Sequence, residues 1–408
     1  MKITILGAGP AGCAAAYFLR RRGFKDITIY EKEKIGGCAF TNFYNKIPYE
    51  FGPQVMFTDK EYLKLVFEQF LYCHPPPNAK KKYEYSVSID GTIDDCHRFP
   101  VTMMNAFKFR NPIKVLCEMA GACCARPDYS NFENYCISRL GKTFYETYVR
   151  NYNRKAWQMD PKDMDTDWVH FRPLKLQLTS SRFGKQWQGH PGNYNPMWAT
   201  MTEGVKLETG DVHVNGDLEY CINGSRLKTD LMITTISMSQ DLEFVNTCLV
   251  YVALKSDTVV MPCAFTTFPN TYDFTRIFEY RQQFYVDSQC TLLSFDFPWK
   301  GEYKKDRYIE QALWFSKHML KKEVAEHWID NRTKIYPLST RKNLNLFNEL
   351  LKKTARGNII PIGRAGSHAY VSKDTCIRMG MEVADHLDEL TDPDKKVTRL
   401  LEIRKDLH

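Results

Sequence analysis

The sequence predicts an α/β fold: a Rossmann-like domain that carries a helical insertion and an antiparallel-sheet domain. Three observations predict it. The first forty residues spell out a complete strand, Gly-rich turn, helix and second strand. An α/β pattern returns near residue 358 after a long β-rich middle. Residues 100–150 show apolar spacing of three and four between Pro-marked breaks.

Residues 2–6 read as a short buried strand. Gly7-Ala8-Gly9-Pro10-Ala11-Gly12 follows at once, then an Ala-rich helix to about Arg22. Residues 27–30 form the second strand, which ends in Glu31, with Gly36-Gly37 five residues later. Gly7 allows the tight turn, Gly9 lets backbone approach a pyrophosphate, and Gly12 lets the helix pack close to the sheet. The unpaired N–H groups at the helix start face the phosphates. Glu31, nineteen residues after Gly12, is placed to accept hydrogen bonds from a ribose. An ordinary strand-to-helix turn explains neither Glu31 nor the Gly pair. The early fingerprint and the Gly-Gly after the acid point to FAD rather than NAD. Ala11 and, further on, Val205 are counted with these glycines as cofactor contacts.

Composition sets the outer bounds. At 408 residues the chain can build two or three subdomains around a substantial core. No apolar run reaches the ~18 residues of a membrane helix, and the N-terminus reads as a strand rather than a signal peptide. The thirteen cysteines are odd in number and irregular in spacing, with no C-x-x-C. That fits neither a disulfide framework nor a zinc site, and no metal is expected. Reduced thiols in a cytoplasmic protein are the expectation. The net charge of +8 is scattered, and Arg20-Arg21-Arg22 and Lys80-Lys81-Lys82 are too short to argue for nucleic acid.

Further along, Pro75-Pro76-Pro77-Asn78 punctuates the chain, and Asn131 or Ser130 with Glu133 marks a helix start. Residues 174–178 alternate as a half-exposed strand does. Residues 205–207, 212–214 and 231–233 are short strands, with Asn-Gly turns at Asn215-Gly216 and Asn223-Gly224. Strand-like runs over 249–297 suggest an antiparallel sheet, and 307–327 reads as helix. Residues 358–362 form a buried strand that ends in Gly363-Arg364, followed by a helix from about 374 to 390. The expected division is a discontinuous FAD-binding domain of 1–72, 196–243 and 334–408, a helical domain of 73–152, and an antiparallel-sheet substrate domain of 153–195 and 244–333. Gly363 would let backbone approach the cofactor, and Arg364 would meet the flavin or pyrophosphate.

Several separated segments, in order along nearly the whole chain, resemble the UDP-galactopyranose mutase family of flavoenzymes. They are Ile35-Gly36-Gly37-Cys38-Ala39-Phe40-Thr41, the stretch from Glu50 to Thr58, and residues 137–157 with Gly141, Tyr145-Glu146, Tyr152, Lys155 and Trp157. Trp187-Gln188-Gly189-His190-Pro191 with Tyr194 and Met197 follows, then Phe274-Thr275-Arg276-Ile277-Phe278-Glu279. Tyr336-Pro337, Arg341, Asn343, Gly363-Arg364 and Tyr370 complete the set. The resemblance implies interconversion of pyranose and furanose forms of a UDP-sugar, with N5 of reduced FAD as nucleophile on the anomeric carbon. It implies that Tyr152 meets the uracil, Trp157 lines the sugar pocket, and Arg276 pairs with the pyrophosphate. Tyr336 and Tyr370 would donate to phosphate oxygens, and Gln54 would lie beside the flavin. Arg276, Lys175, Tyr336 and Tyr370 are the expected catalytic set. An external electron donor would reduce the flavin, and a homodimer is the expected assembly.

The chain departs from the family's pattern in four places. Lys175 stands where a second phosphate-binding arginine is expected, with Arg172 close by, and a Lys keeps the charge but loses the bidentate fork. Gln54 replaces a His, and it cannot titrate near neutrality. Ser372 replaces an aspartate, and His368 a tyrosine. Two other readings remain open on the sequence: an FAD oxidase of amine-oxidase type, and a catalytically altered nucleotide-sugar-binding homologue.

Overall fold

The computed structural model describes residues 1–58, 85–94, 96–99, 102–170, 187–283, 286 and 288–405. Five parallel strands form one sheet, in the order Ile359–Pro361, Leu231–Thr234, Ile3–Leu6, Ile27–Glu31, Lys206–Thr209. Every residue of the central Ile3–Leu6 strand is buried, which explains its nearly continuous apolar run. The helix Pro10–Arg21 carries the chain from this strand to the next. Its alanines let the helix Lys373–Asp385 come very close. A Cβ on Gly380 would stand 2.6 Å from Ala15 N and 2.7 Å from Ala11 O.

The second layer is a seven-stranded sheet, in the order Val324–Pro337, Phe244–Lys255, Cys290–Trp299, Arg276–Glu279, Phe265–Thr267, Tyr85–Ser88, Cys96–Phe99. All neighbours are antiparallel except Phe265–Thr267 and Tyr85–Ser88, which run parallel. The helix Lys305–His318 covers one face of this sheet. Phe315 joins Phe268, Phe274, Phe295 and Phe297 there in edge-to-face contacts. Helices Pro112–Cys124 and Phe132–Leu140 begin where the side chains of Asn111 and Asn131 accept the N–H groups of Lys114 and Asn134.

The structure differs from the sequence reading at several elements. Within 73–152, two strands, Tyr85–Ser88 and Cys96–Phe99, belong to the large sheet. The expected helix over 307–327 stops at His318. Lys321 turns the chain with φ +52, and the long strand Val324–Pro337 begins, crossing the expected boundary at 333/334. The β-branched and aromatic residues of that stretch favour a sheet edge over a further helical turn. The helix expected over 374–390 is two, Lys373–Asp385 and Leu387–Thr391. The Asn223-Gly224 turn forms with both residues at positive φ, as a tight hairpin requires. The expected strand at 174–178 and the Pro75–Asn78 break lie outside the described residues. Among the described residues, no helix is long and apolar enough to cross a membrane, and no group of His, Cys, Asp and Glu could hold a metal ion.

Candidate cofactor and substrate site

The site begins where the central parallel strand ends. Gly7 turns with φ +94, and its N–H donates to Tyr30 O at 2.8 Å. A Cβ here would fall 2.3 Å from Thr235 Oγ1, and one on Gly12 would fall 2.0 Å from Gly7 O, so both glycines are fixed by packing. Gly9 is different: a Cβ there meets nothing within 4 Å. Gly9 also caps the helix Pro10–Arg21 without any side-chain bond, so the first helical N–H groups are left for something outside the helix.

Glu31 closes this loop from the next strand. Its Oε2 accepts the Ala8 N–H at 2.7 Å and its Oε1 the Glu33 N–H at 2.9 Å. Gly36, at φ +101, donates its N–H to Ala8 O at 2.7 Å, and a Cβ on Gly37 would stand 3.5 Å from Gly9 Cα. Gly363, at φ +71, brings the C-terminal segment up to Ala11: a Cβ on Gly363 would stand 3.0 Å from Ala11 Cβ. Ala11 is buried, and Val205 packs half-buried on the same core. Gly7, Gly9, Gly12, Glu31, Gly36, Gly37 and Gly363 thus gather around one turn whose open side is Gly9, while Gln54 and Arg364 make their contacts elsewhere. A bare backbone, a helix N-terminus and a carboxylate fit the pyrophosphate and ribose of a dinucleotide.

A second group of residues gathers on the neighbouring sheet. Arg276 and Asp296 are cross-strand partners, with Nε donating to Oδ2 at 2.5 Å. Arg276 Nη2 donates to the Tyr336 hydroxyl at 3.0 Å. Burial works against the Arg276 charge, but Asp296 and the phenols of Tyr336, Tyr152 and Tyr370 outweigh it and hold the guanidinium protonated. Burial raises the Tyr336 phenol well above its ordinary value, so it stays a neutral donor. The rings of Trp157, Tyr336 and Tyr370 meet edge to face, with centroids 5.1–6.1 Å apart. Arg364 lies over both tyrosines while its Nε and Nη2 donate to Val371 O at 3.0 and 2.7 Å.

The helix Asn151–Trp157, which bears Tyr152 and Trp157, is clasped to the same sheet. Lys155 Nζ donates to the carbonyls of Phe268, Tyr272 and Phe274, and burial pulls its pKa down to about 8. Gln54 turns its Nε2 back onto Phe51 O at 3.1 Å, and its backbone carbonyl accepts bonds from Tyr194 and Lys373. His368 does not imitate a tyrosine donor. It sits at φ +44 between Phe244 and Phe347, with Nε2 3.1 Å from Leu338 O, and burial pulls its pKa down to about 4. Ser372 takes the N-cap position of the helix Lys373–Asp385, with Oγ 3.2 Å from Thr375 Oγ1. Arg172 and Lys175 lie outside the described residues.

Sequence reasoning overlooked Asp296. Its signal was the lone carboxylate in the strand Cys290–Trp299, which holds no other charged residue, since a buried acid needs a partner. It also passed over Lys373, which opens a helix with an ordinary surface sequence and gives no sign of being buried.

Fold and cradle together define a Rossmann-type dinucleotide-binding protein with a second, antiparallel layer that presents an arginine and an aromatic cluster. Within that class the chain is similar to UDP-galactopyranose mutases. A model of that family matches residues 147–312, and a model of NAD(P)-binding Rossmann-like domains matches residues 5–70. A dTDP-fucopyranose mutase of Escherichia coli is 21% identical over 395 residues, which cover 94% of this chain and 97% of that protein. A probable UDP-galactopyranose mutase of Klebsiella pneumoniae is 23% identical over 46% of this chain and 49% of its own length. Among solved structures, a reduced UDP-galactopyranose mutase superposes with TM-score 0.79 at 19% identity, covering 99% of this chain and 98% of that one. A protoporphyrinogen oxidase-like protein from Exiguobacterium follows at 0.69 and 14%, covering 95% and 98%.

Proposed function

We propose that the protein is a flavin-dependent mutase that interconverts the pyranose and furanose forms of a nucleoside diphosphate sugar, with UDP as the expected nucleotide. The observation that carries this reading is Arg276, held charged by Asp296 and bonded to Tyr336 inside an aromatic cluster. An oxidase of an apolar or amine substrate has no use for a buried guanidinium in that place. Reduced FAD, when bound, supplies the nucleophilic nitrogen N5 that takes the anomeric carbon. The cradle of Gly7, Gly9, Gly12, Glu31, Gly36, Gly37 and Gly363 would hold the cofactor.

The protein's own groups then bind and orient. The bonds to Asp296 and Tyr336 use two of the five N–H groups of Arg276, which leaves the others for diphosphate oxygens. Tyr336 and Tyr370 donate their hydroxyls to the same group. Tyr152 stacks on or edges the base, and Trp157 bounds the sugar. Arg172 and Lys175 supply further positive charge. The diphosphate departs and returns to the same carbon, so the donors must hold it without releasing it. The dTDP-sugar named for the Escherichia coli relative makes thymidine nucleotides the first alternative to test. A cytoplasmic setting with an external electron donor goes with this reading.

The test is direct. Purified protein is loaded with FAD, reduced with dithionite, and given UDP- and dTDP-sugars under anaerobic conditions, with products separated by chromatography. Pyranose–furanose exchange that stops on reoxidation is the expected result. Stoichiometric oxidation of an added substrate under air, with no exchange, would overturn it in favour of an oxidase.

A further inference from the structure

Behind residues 50–55 lies a group of ionisable side chains that the reading above leaves unused. Glu50 is 0% exposed, His190 2% and Lys373 7%. Thr41 Oγ1 donates to Glu50 Oε1 at 2.8 Å, and His190 Nε2 lies 3.2 Å from the same oxygen. His190 Nδ1 accepts the Gly192 N–H at 2.9 Å. A neutral ring then carries its proton on Nε2, facing Glu50. Burial lowers the His190 pKa, which keeps that ring neutral. Among the described residues, Glu50 Oε2 has no hydrogen-bond partner.

Lys373 completes the group. Its Nζ donates to the Gln54 carbonyl at 2.9 Å and stands 3.3 Å above the centre of the Tyr194 ring. The Tyr194 hydroxyl donates to the same carbonyl at 2.5 Å. Burial pulls the Lys373 pKa well down, and Glu50 and Asp374 pull it back up. The arrangement that satisfies these contacts is one anion at Glu50, one cation at Lys373 and a neutral imidazole. At the other end of the loop, the Glu50 carbonyl accepts the hydroxyls of Tyr251 and Tyr280 at 2.8 and 2.9 Å. An apolar side chain of similar length would occupy the place of Lys373 without the cost of taking an ammonium out of water.

We propose that Lys373 is a positioning residue for the flavin: its ammonium, seated on the Gln54 carbonyl and balanced by Glu50, fixes the loop and places a positive charge behind it that favours the reduced cofactor. The inference rests on the proposed function and on the expectation that Gln54 lies beside the flavin. Reduced flavin at neutral pH is largely an anion, so a cation held nearby in a poorly screened interior stabilises it over the oxidised form.

The experiment compares FAD-loaded full-length wild type with Lys373→Met and with the double variant Glu50→Gln/Lys373→Met. Met keeps the length of the lysine stem and removes the charge. The single variant strands Glu50 in the interior, and the double variant removes both charges, so it retains the fold if the single one does not. Spectroelectrochemical titration gives the two-electron midpoint potential, and thermal melting reports folding. The double variant also loses the opposing Glu50 charge and should show a smaller change of the same sign; in Lys373→Met, binding of reduced over oxidised FAD is expected to weaken about tenfold. That is a potential lower by about 30 mV. A potential that is unchanged or raised, with FAD bound, overturns this inference alone. Wild-type protein that takes up no FAD overturns the reading of the site, and this inference with it.

Discussion

Gly9 and Gly12 sit three residues apart in one turn, and substitution should affect them in opposite ways. Gly9 has φ −71 and open space where a Cβ would go, whereas Gly12 has the Gly7 carbonyl there. Gly9→Val should therefore leave the melting temperature of the apoprotein unchanged and abolish flavin uptake, read as loss of the yellow absorbance. Gly12→Val should damage the fold itself. Normal FAD binding by Gly9→Val would place the pyrophosphate elsewhere. For Arg276, charge-assisted bonds to phosphate are worth roughly 1.5–3 kcal/mol. Arg276→Ala should weaken nucleotide-sugar affinity about tenfold or more while FAD stays bound. It also strands Asp296, so calorimetry is best run on Arg276→Ala/Asp296→Asn as well. Lys175→Ala should cost less, since an ammonium offers no fork. Unchanged affinity in both Arg276 variants would remove the best-supported anchor from the proposed function. His368 titrates in the folded state at about 4, below its ordinary value near 6.5. The unfolded chain therefore binds the proton first as pH falls, and stability is lost from about pH 6.5 down to about pH 4. The full loss is roughly 3 kcal/mol. His368→Asn, which tolerates the positive φ, should flatten that part of the curve of melting temperature against pH. An equally steep acid loss in the variant would assign it to other groups.

At the level of elements, the contact between the helices Pro10–Arg21 and Lys373–Asp385 depends on Gly380. Gly380→Ala should force the helices apart and destabilise the protein by about 1–3 kcal/mol, measured by denaturant unfolding. A neutral result would mean that the interface yields without cost. How much of each element could be read in the sequence follows from where its signal lies. The first strand, helix and second strand were readable to within a residue or so, because turn glycines and Ala-rich packing are local. The helix start at Asn131 was readable for the same reason, since a cap is a local bond. The helix over 307–327 was overextended, because its amphipathic spacing continues into residues whose pairing with Phe244–Lys255 is decided 70 positions away. Tyr85–Ser88 and Cys96–Phe99 were missed likewise: they pair with each other as a hairpin, which joins the large sheet only through the distant strand Phe265–Thr267. In the site, glycines and Arg276 announced themselves by motif, while Asp296 and Lys373 acquire meaning only from what surrounds them.

The whole molecule is tied together by strands far apart in sequence. Ile3 pairs with Leu231, and Met232 pairs with Ile359. A chain cut after residue 340 should therefore fail to take up FAD and should expose apolar surface, which dye binding and flavin spectroscopy would show. Retained flavin in that fragment would make the C-terminal segment an accessory. The same pairings bear on how the protein is made. At ~5–20 residues per second, the strand Ile359–Pro361 leaves the ribosome roughly 20–70 s after the strand Ile3–Leu6. Until Leu231–Thr234 emerges, the buried central strand is flanked on one side only, by Ile27–Glu31; Leu231–Thr234 is then itself an open edge until Ile359–Pro361 follows. Nascent chains of this protein should thus depend on chaperones more than their size suggests, and slowing translation before residue 359 should lower soluble yield rather than raise it.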